Sequence, residues 1–291
     1  MTQAMTAAKQ RSPAYFAWRR FAANKAAVVA GIVLVLLILM ATAAPLITKT
    51  GPSDQKFLTQ ALAFPSAEFW FGIDDLGRDF FTRIVYGARV SLTIGFTAAL
   101  FSVLIGIPLG AVAGYYGGRA DWVVMRLIEL FSVVPPLLAA MLLGALTRGG
   151  FFTIVLIAAL FGWVQVCLLV RAQVKAFKEK EFVRAAAALG ASPGYIIRRH
   201  LIPNSISPII VGFVLAIPLA MMLEASLSFL GIGVPPPTPS WGQMINTGMN
   251  FMYFYWHMAV YPTAALAITV LATTLFGDGL RDALDPTLKG R

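Results

Sequence analysis

The sequence predicts an all-α integral membrane protein with six transmembrane helices. Of its 291 residues, 58% are apolar and 12% charged, whereas a soluble domain uses roughly half apolar and a quarter charged residues. Six charge-poor runs approach or exceed the ~20 residues that a helix needs to cross a bilayer. Lys and Arg gather between these runs in a pattern that alternates from one side to the other.

The first run, Ala26 to Thr48, lies between Lys25 and Lys49. Ala41-Thr42-Ala43 looks like a signal-peptidase site, but the polar lead up to Lys25 is long for a signal peptide and the apolar run continues past the site. An uncleaved anchor is therefore expected. The second run, Val90 to Gly118, lies between Arg89 and Arg119. Leu130 to Thr147 and Gly149 to Val170 follow, with Arg148-Gly149-Gly150 as a short turn between antiparallel helices. The fifth run extends from Leu201 to Leu223 and the sixth from Met258 to Gly277. Between them, Ala225 to Tyr255 is too rich in Pro and Gly for one continuous helix and reads as interfacial or re-entrant, packed on protein. The chain thus divides into an N-tail and first helix (1–48), an extracytoplasmic loop (49–89), a five-span core (90–280) containing the polar loop 171–204, and a C-tail (281–291).

Charge fixes the orientation. Lys9, Arg11, Arg19, Arg20 and Lys25 precede the first span with no acid among them, and the 171–204 loop carries seven basic residues against Glu179 and Glu181. Both belong on the cytoplasmic side. The loop from Lys49 to Arg89 balances five basic with five acidic residues and suits the outside, and six crossings return the C-terminus to the cytoplasm. The formal net charge of +10 is accordingly topological. Its basic residues flank spans and form no patch with interleaved aromatics, which tells against nucleic acid.

Ionisable groups at membrane depth are costly and mark function, and this chain is expected to have almost none. Glu129 and Glu224 fall at span ends, and His200 and His257 just outside. There is no carboxylate pair, no His/Cys cluster at metal spacing and no nucleophile beside a base, so no catalytic and no metal-binding residue is assigned. Without a Walker A sequence the chain is not expected to bind ATP. Cys167, among Val166, Leu168 and Leu169, reads as a small buried hydrophobe. Gly106, Gly110 and Gly114 recur every four residues and give a smooth face for close helix packing. Pro108, Pro135, Pro136, Pro218 and Pro262 are candidate kinks. Trp241, Trp256, Phe251, Tyr253, Phe254 and Tyr255 read as an aromatic belt near the outer boundary.

The most informative stretch runs from Glu181 and Phe182 through Arg184, Ala185, Ala186, Leu189, Gly190, Ala191, Ser192 and Pro193 to Pro203. The alanine run favours helix, Gly190 can take the left-handed conformation that ends one, and Ser192-Pro193 supplies the N-cap and first-turn proline of another. Helix, sharp turn and helix would present a methyl-rich face suited to a partner's groove.

These residues resemble the cytoplasmic "EAA" loop of binding-protein-dependent ABC importers, through which the membrane subunit engages its ATPase. Arg184 stands where the family carries an acid and Ile202 where it prefers leucine; Glu181, three residues from Arg184, lies on the same helical side. Further motifs are Trp70-Phe71-Gly72-Ile73-Asp74-Asp75-Leu76-Gly77-Arg78-Asp79, Tyr86-Gly87-Ala88-Arg89-Val90-Ser91-Leu92 and Ala113-Gly114-Tyr115-Tyr116-Gly117-Gly118. With Leu227-Ser228-Phe229-Leu230-Gly231 and Pro236-Pro237-Thr238-Pro239-Ser240-Trp241-Gly242, they are similar to the C-type permease subunit of dipeptide, oligopeptide and nickel importers. The resemblance implies a type I ABC importer (MetI-like) permease core with an extra N-terminal helix, in the cytoplasmic (inner) membrane. It implies a homologous B-type permease subunit, two ABC ATPase subunits that hold ATP and Mg, a periplasmic or lipid-anchored substrate-binding protein, and lipid as partners. This chain itself would carry no cofactor. Peptides are the implied cargo, with nickel chelates, glutathione or another small solute as the alternative within the class. A secondary transporter, a channel and a structural scaffold are the alternatives outside it. Asp74, Asp75, Arg78, Asp79 and Trp241 are then candidates for binding-protein contact, unless the charged group caps and pairs with Arg83 and Arg89.

Overall fold

A computed structural model describes residues 13–147 and 149–284; Lys9, Arg11, Arg148 and residues 285–291 of the expected C-tail lie outside the described residues. Among the described residues the chain is helical, with one isolated antiparallel bridge between Ile73 and Asp79.

Helix α1 (Pro13–Ala23) meets α2 (Lys25–Thr42) at Asn24, whose side chain accepts from the Ala27 amide at 3.1 Å. A single turn, α3 (Ala44–Ile47), leads into an irregular segment that holds a 3-10 turn at Leu58–Gln60. Helix α4 (Phe80–Tyr116) has 37 residues, about 55 Å. It starts ahead of the expected Val90 because Asp79 caps it, accepting from the Thr82 amide at 2.9 Å. Residues 80–89, expected in a loop, are therefore helical.

The third crossing differs from the expected single run. Helices α5 (Gly118–Val133) and α6 (Pro136–Thr147) meet at 80°. Pro135 and Pro136 supply no amide hydrogens, and Val134, which precedes a proline, is held extended at φ −81°, ψ 121°. Pro108, Pro218 and Pro262, by contrast, lie inside helices that continue through them. Gly149 and Gly150, at φ +70° and +105°, turn the chain into α7 (Phe151–Lys178).

Then come α8 (Glu181–Ala188), α9 (Pro193–Ile196), a π-helical turn (Ile197–Leu201), α10 (Ile202–Asn204) and α11 (Ile206–Phe229). The fifth run is thus displaced toward the C-terminus, which places Glu224 inside a helix. After α11 the chain is irregular until α12 (Trp241–Met249), as the Pro/Gly content of 225–255 implied, and α13 (His257–Leu284) ends the description. Helices α2, α4, α7, α11 and α13 are each long and apolar enough to span a membrane, and counting the bent pair α5–α6 as one span gives six.

The centre of the bundle is α4 against α7. A Cβ at Gly106 would lie 2.7 Å from Val166 Cβ, one at Gly110 would lie 2.5 Å from the Cys167 carbonyl oxygen, and one at Gly114 would lie 2.7 Å from that of Arg171. Only glycine permits this approach of one backbone to another. Cys167 is fully buried in the same seam. Hydroxyls within the spans, among them Thr93, Ser102, Thr263, Thr269 and Thr273, donate to carbonyls four residues back and so cost little in an apolar medium. Near one end of the seam Arg171 of α7 forms a two-pronged bond with Asp121 of α5.

Candidate functional site

The α8–α9 hairpin follows from its sequence turn by turn. Helix α8 stops at Leu189; the Gly190 amide then donates to the Ala187 carbonyl at 3.0 Å and the Ala191 amide to the Ala186 carbonyl at 3.1 Å. That pair of bonds is a Schellman closure, which requires a left-handed residue between them. Gly190 supplies it at φ +83°, with open space where a side chain would begin. Ser192 is extended, its Oγ accepts from the Tyr195 amide at 3.4 Å, and Pro193 starts α9.

One face of the hairpin is buried and the other is not. Val183 and Ile196 join Ala111, Val170, Val174 and Leu201, which seats the hairpin on α4 and α7. The His200 ring lies 6.2 Å from Phe182 and 5.8 Å from Tyr195, linking the two arms. Glu181, Ala185, Ala187, Ala188, Ser192, Pro193 and Pro203 are exposed, and Leu189 is 89% exposed. Ala186 and Ala191 are partly covered where the arms meet. Arg184 pairs with Glu179, across the turn from α7. The Arg184 bond holds the Glu179 carboxyl below its ordinary range. Both groups are more than half exposed, and such a pair adds little stability.

At the opposite end, Asp74 and Arg78 of the charged group that precedes α4 are interior, unlike the contact surface that was one expectation for them, while Asp75 and Asp79 are partly exposed. Asp74 is 2% and Arg78 5% exposed. Arg78 Nε donates to Asp74 Oδ2 at 2.6 Å and Arg83 Nε approaches the same oxygen at 3.3 Å, while Oδ1 accepts from the Leu76 and Arg78 amides. Arg83 also donates to the Pro52 carbonyl at 2.9 Å, tying the loop to α4. Asp79 is the cap of α4. Asp75 is partly exposed, and burial, then the neighbouring Asp74 charge, push its carboxyl above the usual range. Arg89 stays outside this cluster and is exposed. Trp241 is fully buried, its ring nitrogen donating to the Ile84 carbonyl at 3.0 Å, and so belongs neither to a contact surface nor to an aromatic belt. Tyr253, Phe254 and Trp256 do remain exposed.

A polar hub lies beneath Trp241. Glu224 of α11, expected at a span end, is fully buried, accepting from Ser228 Oγ at 2.7 Å and from Ser91 Oγ of α4 at 3.2 Å. Ser91 Oγ accepts from the Trp241 amide, and Ser240 Oγ lies 3.5 Å from Ser228 Oγ while capping α12. Three segments therefore meet on one carboxyl group. The signal in the sequence was Glu224 and Ser228 at helical i, i+4 spacing; the long-range partner, Ser91, left none. His257, expected outside a span, is the first residue of α13 and fully buried, its ring 5.2 Å from that of Phe64. Glu224→Ala is expected to cost about 1–3 kcal/mol by stranding buried hydroxyls, and Glu224→Gln less because it keeps an acceptor. Thermal melting of the purified subunit complex in detergent checks the order; identical melting of the alanine variant and the wild type would contradict it.

Among the described residues no three His, Cys, Asp or Glu side chains gather as a metal site would need. The comparisons with known proteins agree over most of the chain. The model for "binding-protein-dependent transport system inner membrane component" matches residues 106–290, and that for the "N-terminal TM domain of oligopeptide transport permease C" matches residues 12–65, which include α1 and α2. Similar proteins include the oligopeptide transport system permease protein OppC of Bacillus subtilis (strain 168), 41% identical over 93% of this chain and 88% of its own. The dipeptide transport system permease protein DppC of the same organism is 43% identical over 94% and 85%. The glutathione transport system permease protein GsiD of Pectobacterium atrosepticum is 39% identical over 96% and 93%. Among solved structures, a chain of the MetNI methionine ABC transporter in an inward-facing conformation matches in fold, with a TM-score of 0.55 at 18% identity over 70% of this chain and 96% of that one. The bundle is thus a MetI-like permease core with an added N-terminal helix, and the chain belongs to the family of binding-protein-dependent transport system inner membrane components.

Proposed function

We propose that this chain is one of two permease subunits of an ATP-driven importer of short peptides, and that its α8–α9 hairpin is the element an ATPase subunit grips. The observation that carries the reading is the hairpin itself: an exposed alanine face on α8, held by a Schellman turn and seated on α4 and α7. A methyl surface exposed to water gains free energy when a partner's groove covers it.

The peptide assignment draws support from the oligopeptide and dipeptide permeases among the relatives. The glutathione permease supports a second reading in which the cargo is that tripeptide. The Lys and Arg distribution supports a cytoplasmic N-terminus, hairpin and C-terminus. In this reading a homologous permease subunit completes the pathway, two ATPase subunits hold the nucleotide and Mg, and a substrate-binding protein delivers cargo on the outer side. This chain catalyses no bond making. When ATP draws the ATPase subunits together, the two hairpins move with them and the pathway changes from inward-facing to outward-facing. The drive is the difference in contact free energy between the two states.

Reconstitution tests the reading. The purified chain is expected to hydrolyse no ATP, whereas the complex in proteoliposomes with its binding protein takes up labelled trialanine only with ATP inside the cytoplasmic compartment. Uptake driven by an ion gradient without ATP would make the chain a secondary transporter. Uptake of glutathione with none of trialanine would select the second reading.

A further inference from the structure

Two cavities open side by side along α7 and α11. The first, about 730 Å³, is lined by Gln165, Leu169, Gly212 and Leu215 among other residues of α4, α6, α7 and α11. The second, about 760 Å³, shares Leu169, Gly212 and Leu215 and continues past Gln173 to Asn204 and Arg281, at the end of the bundle that carries the α8–α9 hairpin. Together they form one groove large enough for a solute of a few hundred daltons.

The wall of the groove is polar at few points. No charged side chain lines the first cavity, and its two hydroxyls are committed to their own helices: Ser102 Oγ donates to the Ala98 carbonyl and Ser226 Oγ to that of Met222. Gln165 lies at the middle of α7, exposed on the groove. Neither its carboxamide nor that of Gln173 makes a hydrogen bond to any of the described residues. Both carboxamides are therefore free to bond with whatever enters the groove. Gln165, Leu169 and Gln173 fall at four-residue steps, so the two carboxamides share one inclined ridge of the helix.

We infer that Gln165 and Gln173 are successive hydrogen-bonding stations for the main-chain amides of a peptide in transit. A primary carboxamide offers two N–H donors and a carbonyl acceptor, so it pairs at once with the C=O and N–H of a peptide unit. It does so whatever side chains the peptide carries, and the uncharged wall beside it favours neither acidic nor basic ones. The wall therefore reads the backbone of the solute; its one charged side chain, Arg281, lies at the hairpin end of the groove, away from Gln165. This inference rests on the peptide reading above.

The test uses the whole complex in proteoliposomes with its binding protein and labelled trialanine. Gln165→Leu is expected to lower the uptake per ATP hydrolysed about tenfold, the loss of one hydrogen bond in passage. Gln165→Asn, which keeps the carboxamide, restores most of it, and Gln165→Leu with Gln173→Leu falls further than either alone. Wild-type coupling in Gln165→Leu would overturn the inference while leaving the peptide reading intact. So would a loss that arises because the permease subunits come apart, since Gln165 would then be a bond between subunits. Wild-type vesicles that take up no trialanine would overturn both.

Discussion

Asp74→Ala is expected to lower the stability of the folded chain by about 3–5 kcal/mol, because it leaves buried charge without its counter-ion. Asp74 is the common acceptor for two arginines, themselves 5% and 2% exposed, and for the amides of Leu76 and Arg78. Its removal leaves Arg78 with only Asp75, at 3.9 Å, and Arg83 with no carboxylate within 4 Å, and loosens the turn that places Asp79 at the start of a 37-residue helix. Asp74→Asn keeps acceptor oxygen for the amides while losing the charge, and belongs between the alanine variant and the wild type. Melting of the detergent-solubilised complex gives the order directly. If the alanine variant melted with the wild type, the cluster would be a surface feature, open to a binding protein after all.

That cluster also marks where the sequence stops being legible. Apolar runs indicated the long apolar helices, five of them or six with the bent pair counted as one span, since span length and hydropathy are local quantities. The same holds for the hairpin: an alanine run, Gly190 and Ser192-Pro193 are sufficient to define a helix, a left-handed stop and a new cap. Tertiary pairing is different. Asp74, Asp75, Arg78 and Asp79 have the composition of a solvated loop, and only the folded segment between Pro52 and Asp79 turns Asp74 and Arg78 inward. Glu224 looked like the polar end of a span because its partner Ser91 is 133 positions away. Trp241 shares the composition of an interfacial aromatic, yet its ring nitrogen is spent on Ile84 of α4. At Val134-Pro135-Pro136 the prolines indicated a kink, while the 80° angle depends on what α6 packs against.

Helix α7 connects the two ends of the proposed mechanism. It carries Gln165 and Gln173 on the groove, packs its backbone on the glycine face of α4, and reaches the hairpin through Val170 and Val174, which touch the same core as Val183 and Ile196. A force applied to the hairpin is therefore applied to α7 through close-packed side chains, which transmit displacement poorly as compression and well as rigid motion. The seam at Gly106, Gly110 and Gly114 is the surface on which such a motion would slide or roll.

Gly190→Val is expected to abolish most transport while leaving the chain in the membrane. Gly190 sits at φ +83°, a region that a β-branched residue enters only at considerable strain. Nothing lies within 4 Å of the position its Cβ would occupy, so the penalty is conformational and not a clash. This gives the prediction a graded form. Asn at this position, which tolerates the left-handed region, should retain most transport; Ala should retain less; Val, the stiffest, should retain about a tenth or below, as ~1–2 kcal/mol of strain opens the Schellman bonds to Ala186 and Ala187. A steric origin would instead order the variants by volume and make Asn worse than Ala. The control is Gly95→Val in α4, which lies outside the groove, whose Cβ would meet Met221 at 2.6 Å and whose loss should arise through insertion or stability. For Gly190→Val the membrane-inserted amount should match the wild type. Binding-protein-stimulated hydrolysis should fall together with uptake, because an altered turn misaligns α8 against its partner. Normal stimulation and normal uptake in that variant would mean that the hairpin is not the point at which ATP hydrolysis is coupled to movement of the bundle.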